Sequence, residues 1–183
     1  MKKSVLLLAC LSMASWSSAS FGADTPPKRG VDQHLLSKLH AGNQNEIALG
    51  KLAQERGTSQ EVKDFGAMLV KDHSAADQKV LAAAQEAGIK LESPPMAKSA
   101  KESHEMEKSK HLAEELKTIP ANQFDEKFKE FMVADHKKDV SAVSKAIPKL
   151  KNAEVKQTAE ALLPTLKHHE KMAEDLAVKP QQG

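Results

Sequence analysis

The sequence predicts an all-α protein, a ferritin-like four-helix bundle with a long, partly helical crossover between its second and third helices. Three observations carry this. Four long segments repeat apolar residues at alternating spacings of three and four, and no segment shows the period of two that a half-buried strand needs. Short turns join the first two segments and the last two, so each pair is antiparallel. Between the pairs stand about thirty residues, enough to carry the chain from one end of a bundle to the other, where short loops would have given simple up-down order.

The chain has 183 residues, enough for one domain with its own core. Its first residues read separately. Lys2 and Lys3 precede an apolar run from Val5 to Ala14, followed by small residues up to Ala23. The run is shorter than the ~20 residues that span a bilayer. It has the form of a secretory signal peptide, expected over 1–23 with cleavage between Ala19 and Ala23. Leu7-Leu8-Ala9-Cys10 resembles a lipoprotein box, but its apolar run is too short to make lipidation the expectation. Cleavage removes the single Cys and the single Trp, and the chain has no Tyr. The mature protein therefore has no disulfide, no thiol nucleophile and no tyrosyl radical. Loss of Lys2 and Lys3 lowers Lys+Arg from 27 to 25, equal to the 25 acidic residues. A nucleic-acid partner gains no support from that balance, and the mature chain carries no transmembrane anchor.

Residues 24–30, with Pro26 and Pro27, form an aperiodic lead-in. The bundle is expected over 31–176. In the first helix Leu35, Leu39, Gly42, Glu46, Leu49 and Ala53 form one stripe, and Gly57 stops it. Thr58 or Ser59 caps the second helix, whose stripe is Val62, Gly66, Leu69, His73, Ala76, Val80 and Ala83. It ends at Gly88. The crossover spans 88–121. Pro94-Pro95 breaks it, and 97–117 reads as a solvated helix with a thin apolar face of Leu112, Leu116 and Ile119. His104 and His111 share its outer side. The third bundle helix carries Phe124, Phe128, Met132, His136, Val140, Val143 and Ile147 up to Pro148. Asn152 caps the fourth, with Leu162, Leu166, His169, Ala173 and Leu176. Pro164 predicts a kink one turn before His169. Residues 177–183 read as a disordered tail.

Two of these helices share a motif. Phe65 to His73 and Phe128 to His136 both read F-x-x-x-(L/M)-V-x-D-H, and each ends on a histidine aimed at the core. Every bundle helix in fact places one ligand-type side chain on its stripe: Glu46, His73, His136 and His169. Counted from the turns at 1.5 Å per residue, the members of each pair differ in height by roughly 3–6 Å. An unsatisfied buried polar group costs roughly 1–3 kcal/mol, so these four must satisfy one another or bind something. Three imidazoles and a carboxylate suit one divalent zinc, iron or manganese ion. Asp72 and Asp135, each preceding a site histidine, are candidate acceptors for a ring N–H. Met132 and Met172 near His136 and His169 would favour copper(I), although methionine is ordinary core filler. His168 lies about 100° round the helix from His169 and His40 lies off the stripe of Glu46, so both are left outside the centre.

Glu46 to Ala53, Val62-Lys-Asp-Phe65, Lys71-Asp-His-Ser74, Phe124-Asp125, Asp135-His136 and Leu163-Pro-x-Leu-x-x-His169 together resemble a family of exported bacterial proteins. It is known as domain of unknown function 4142 and is assigned to the ferritin-like superfamily. The resemblance runs from about Gln33 to Leu176. It implies a ferritin-like bundle in the periplasm or at the outer membrane and no established activity. The chain departs from the di-iron ferritin pattern of Glu-x-x-His on two helices, because Val70, Val133 and Leu166 stand three residues before the site histidines. A mononuclear site is therefore expected.

The leading expectation is an exported metal-binding bundle, monomeric or weakly associating. The alternative is a non-catalytic envelope stress or interaction module. Its Glu46 and histidines would form a metal-free hydrogen-bonded or pH-sensitive core, and its crossover, 94–119, would be the partner surface. An oxidoreductase would need an open coordination position at the same site. No phosphate loop, dinucleotide fingerprint or nucleophile triad is present.

Overall fold

The computed structural model describes residues 30–178. The expected signal segment 1–23, the lead-in up to residue 29 and residues 179–183 of the expected tail lie outside the described residues. The elements are α1 (Val31–Arg56), α2 (Gln60–Glu86), α3 (Ala100–Thr118), α4 (Ala121–Ala146) and α5 (Ala153–Asp175). A 3₁₀ turn at Ile147–Lys149 follows α4, and there is no strand among the described residues. The crossover helix is thus α3, and the third and fourth bundle helices are α4 and α5.

Local chemistry sets the helix ends. Ser59 Oγ accepts from the Val62 N–H at 3.3 Å, and Asn152 Oδ1 accepts from those of Glu154 and Val155 at 2.9 and 3.1 Å, satisfying donors that have no partner inside the helix. Pro148 lies in the 3₁₀ turn that ends α4, since its ring excludes a further helical hydrogen bond. Gly88 follows α2 at φ 62, the left-handed backbone that glycine adopts without strain. Gly57 stops α1 differently. Its φ is −54, and a Cβ there would stand 2.6 Å from the Ala53 carbonyl oxygen, so bulk rather than handedness selects glycine. Pro164 lies within an unbroken α5. Pro164 and Glu160 are both exposed, so the hydrogen bond that proline removes falls on the solvated side of the helix.

The crossover carries the chain from one end of the bundle to the other. Near the start of α1, Glu102 of α3 accepts from Lys38 at 2.8 Å and lies 3.0 Å from His34. At the far end of α1, Arg56 donates to the carbonyls of Leu116 and Ile119. Therefore α3 runs parallel to α1, and α4 begins beside the α1–α2 turn. There Asp125 takes the Thr58 N–H at 2.8 Å, its hydroxyl at 2.6 Å and the Ser59 N–H at 2.8 Å. Around the bundle α1 packs on α2, α2 on α5, α5 on α4 and α4 on α1. Neighbours are antiparallel, and α2 and α4 run the same way on one diagonal, which is the one-crossover connectivity of ferritin-like folds.

The core is two apolar clusters. One gathers Leu49, Phe65, Leu69, Phe124, Phe128 and Met132 toward the α1–α2 turn. The other gathers Leu36, Leu39, Val80, Val143, Val155 and Leu162 toward the opposite end. Val178, within the segment read as a disordered tail, packs against the first cluster. Between the clusters lies a buried polar layer of Asn43, Glu46, His73, His136 and His169.

The α1–α2 register comes from one backbone contact. A Cβ on Gly50 would stand 2.6 Å from the Gly66 carbonyl oxygen, and a Cβ on Gly66 would stand 2.6 Å from that of Gly50. Backbone meets backbone there, and neither side can yield as a flexible side chain would. Asn43 lies seven residues before Gly50 and His73 seven after Gly66. On antiparallel helices both are two turns, or about 10 Å, from the crossing on the same side, so the crossing brings Asn43 level with His73. Gly66→Ala should cost about 1–3 kcal/mol by overpacking. At roughly 2–4 °C per kcal/mol for a chain of this size, a melt of the variant beside wild type checks it, and an unchanged melting temperature would refute the contact.

Candidate metal centre

His73, His136 and His169 come from α2, α4 and α5, and one ring nitrogen of each lies within 4.8 Å of the others. All three are buried, with exposures of 3%, 1% and 0%. Ring centroids are 5.0 Å apart for His73 and His169, 5.4 Å for His136 and His169 and 5.8 Å for His73 and His136.

The hydrogen-bond partners define which nitrogens carry protons. His73 Nδ1–H donates to Asn43 Oδ1 at 2.9 Å. His136 Nδ1–H donates to the Met132 carbonyl at 3.0 Å. His169 Nε2–H donates to Asp72 Oδ2 at 3.1 Å. A neutral imidazole has one N–H, so His73 Nε2, His136 Nε2 and His169 Nδ1 are left as bare acceptors. His73 Nε2 and His169 Nδ1 face each other at 3.2 Å, and His136 Nε2 is buried with no partner. Three lone pairs converge, and each ring is held from behind by an amide oxygen, a backbone carbonyl or a carboxylate. That is the pattern of metal-binding histidines, whose second N–H is held by such groups.

The rings are neutral. Burial, then the neighbouring His169 and His136, holds His73 down at about 3. Burial, then His169, holds His136 at about 4, against opposition from the Met132 carbonyl and Asp135. Burial lowers His169 as well, opposed by its bond to Asp72.

Glu46 is 1% exposed; as a carboxylate neither oxygen receives a hydrogen bond, whereas as a carboxylic acid it can donate its proton to Asp135. It lies one turn along α1 from Asn43. Its oxygens fall outside the 4.8 Å group formed by the three histidines. Burial, then the charges of Asp135 and Asp139, holds its pKa well above the ordinary carboxylate range. The two candidate ring acceptors divide. Asp72 holds a ring, but that of His169 across the α2–α5 interface rather than its neighbour His73. Asp135 accepts from Ser109 at 3.2 Å and lies 3.6 Å from Lys138. His40 donates to Asp77 at 2.7 Å, away from the centre, and His104, His111 and His168 are exposed.

The sequence reading missed Asn43, the Met132 carbonyl and Asp139. Asn43 had a signal, its seven-residue spacing from Gly50. A backbone carbonyl has none. Asp139 is half-buried and pushed up to about 7 by burial and the Asp135 charge, opposed by Lys138 and Lys38.

Fold and site together define an all-α bundle with a buried three-histidine centre at its middle. The chain belongs to the family described as domain of unknown function (DUF4142), whose model matches residues 17–176. Among solved structures it is similar to a crystal structure of a DUF305 fragment from Deinococcus radiodurans, with a TM-score of 0.66 and 16% identity over 82% of this chain and 97% of that one. At that identity the likeness is one of fold. No curated protein matches.

The depressed histidines fix a pH dependence. The unfolded rings titrate near 6.5, the folded His73 and His136 at about 3 and 4 and His169 below its ordinary value, so the unfolded state binds more protons between those values. Stability is full above about pH 6.5 and falls as the pH drops toward the folded values. By pH 5 His73 and His136 should each cost about 2 kcal/mol. A chelator-treated sample melted between pH 7 and 5 should show this fall, and a His73→Gln, His136→Gln double variant should lose most of it. A flat wild-type curve would contradict neutral buried rings.

Proposed function

We propose that this protein binds one divalent transition-metal ion between His73, His136 and His169. The convergence of three bare imidazole lone pairs, each ring fixed by an acceptor behind it, carries the reading. Neutral rings carry no charge to repel a cation, and a cation would remove the lone-pair conflict at 3.2 Å between His73 Nε2 and His169 Nδ1. Two nitrogens bound tetrahedrally at about 2.0–2.1 Å would stand about 3.3 Å apart, close to that separation. Glu46 supplies the fourth donor and a countercharge for the buried ion, and Asp72 supplies a second charge through His169. Imidazole with carboxylate favours zinc, iron(II) or manganese(II). Copper gains less support, because Met132 lies with the apolar cluster and Met172 packs against it.

A metal-free hydrogen-bonded core fits the layer less well. If the Asn43 amide donated to His73, then His73 Nε2–H would donate to His169. His136 Nε2 would still lack a partner. Export to the envelope is part of the proposal and rests on the basic, apolar and small-residue segment from Lys2 to Ala23. N-terminal sequencing of the chain from a periplasmic fraction tests it.

Zinc, iron(II) or manganese(II) at a hundred times its dissociation constant should stabilise the protein by about 2.7 kcal/mol. That corresponds to a rise of roughly 5–10 °C in melting temperature. The His73→Ala, His136→Ala variant should show no rise, and an equal rise in that variant would refute the site. Asn43→Ala should weaken binding roughly 10–100-fold, measured by competition with a chromogenic chelator.

A further inference from the structure

Three of the four bundle helices give the buried layer a ring, and α1 gives it Asn43 and Glu46 instead. These two stand three residues apart, so they are neighbours on one face of α1, and both are buried, at 5% and 1% exposure. Asn43 is only half used. Its Oδ1 accepts the His73 Nδ1–H at 2.9 Å, while its Nδ2, which carries two N–H groups, is buried with no acceptor. Leaving a buried donor unmet is costly. The metal ion does not meet it. An ion between the rings satisfies the bare nitrogens of His73, His136 and His169, but a cation cannot accept a hydrogen bond. The Asn43 N–H pair therefore needs a lone pair that neither the chain nor the ion supplies.

We propose that the ion held by His73, His136 and His169 carries, beside Glu46, one small exogenous ligand with an oxygen or nitrogen lone pair, and that this ligand accepts a hydrogen bond from Asn43 Nδ2. The inference rests on the metal reading above and adds what the ion takes from solution. The ions that suit the centre have room for it. Zinc expands from four donors to five, and iron(II) among imidazole and carboxylate ligands keeps open positions. Burial sets the size. The three rings are 0–3% exposed, which limits the ligand to a few atoms, such as water, hydroxide or a small anion. Asn43 then works at both ends of one planar amide, its oxygen holding the His73 ring and its nitrogen holding the ligand. A neutral amide orients such a ligand without adding charge to the layer. The centre differs in this from a closed structural site, where four protein donors complete the coordination. It has the open position that an oxidoreductase would need.

Azide, a small anion with nitrogen lone pairs, is the probe. Cobalt(II) is the reporting ion, because its visible bands change with the number and kind of its donors. The metal-stripped chain from Asp24 onward, which keeps every described residue, is saturated with cobalt and titrated with sodium azide. Wild type, Asn43→Asp and Asn43→Ala are compared, with circular dichroism confirming the helical fold. Wild type should show a saturable shift of the cobalt bands. Asn43→Asp keeps an oxygen behind the His73 ring and loses the N–H pair, so it should still bind cobalt and should bind azide at least about tenfold more weakly. Asn43→Ala adds no charge, and at saturating cobalt it should lose azide affinity roughly 10–100-fold. If cobalt binds and azide leaves the wild-type bands unchanged, the ligand position is wrong while the metal centre stands. If Asn43→Ala binds azide as tightly as wild type, the ligand sits on the ion without Asn43 and the proposal is overturned. If the wild-type protein takes up no cobalt, the metal reading falls and this inference falls with it.

Discussion

The centre depends on a contact that contains no functional group. Gly50 and Gly66 bring the α1 and α2 backbones together so closely that neither position has room for a Cβ. Side chains can slide past one another by changing rotamer, but two apposed carbonyls cannot. The crossing therefore locks the register of the pair, and two turns away it sets Asn43 opposite His73. The second pair is held to the first at both ends. Asp125 binds the turn at one end, and Asp32 accepts the Lys151 N–H at 2.9 Å at the other. With both ends fixed, His136 and His169 arrive at the level that the glycines chose for His73.

The polar layer is tolerable because apolar clusters flank it on both sides. Each unpaired buried group costs roughly 1–3 kcal/mol, and the layer contains four such side-chain atoms, on Asn43, Glu46 and His136. Among the described residues the clusters above and below contain the four phenylalanines and most of the leucines, so apolar burial on both sides offsets the cost of the layer.

Much of this was legible in the sequence, for identifiable reasons. The four stripes, the capping residues Ser59 and Asn152 and the long crossover follow local rules, and local rules survive folding. Depth counted along the helices puts Glu46, His73, His136 and His169 in one layer because the turns are short enough to fix the counting; all four are buried, and the three histidines converge. What escaped depends on rotation and on other helices. Asp72 was read beside His73, yet successive residues on a helix do not face each other, so it reaches His169 on α5. Asp135 for the same reason turns toward Ser109 on α3. Asn43 was passed over because a spacing of three or four admits either Gly42 or Asn43 on the buried face. The crossing at Gly50 decides between them. The Met132 carbonyl that holds His136 is invisible to any reading by residue type.

Charge decides what the layer can accept. An ion of charge +2 cannot enter a neutral, water-excluded site without countercharge, since an isolated buried charge is far more costly than an unpaired dipole. The three rings, kept neutral by burial, supply none. Asp72 supplies one negative charge at the outer nitrogen of His169. Glu46 would supply the other only by ionising, and burial, then the two aspartates, holds its pKa well above the ordinary carboxylate range. On the proposed reading a bound ion would offset that cost, because the carboxylate would then have a cation beside it. On that reading Glu46 would be the group through which the layer exchanges a proton for a metal ion. Its place in the buried layer, one turn along α1 from the asparagine that holds His73, would suit it to both states.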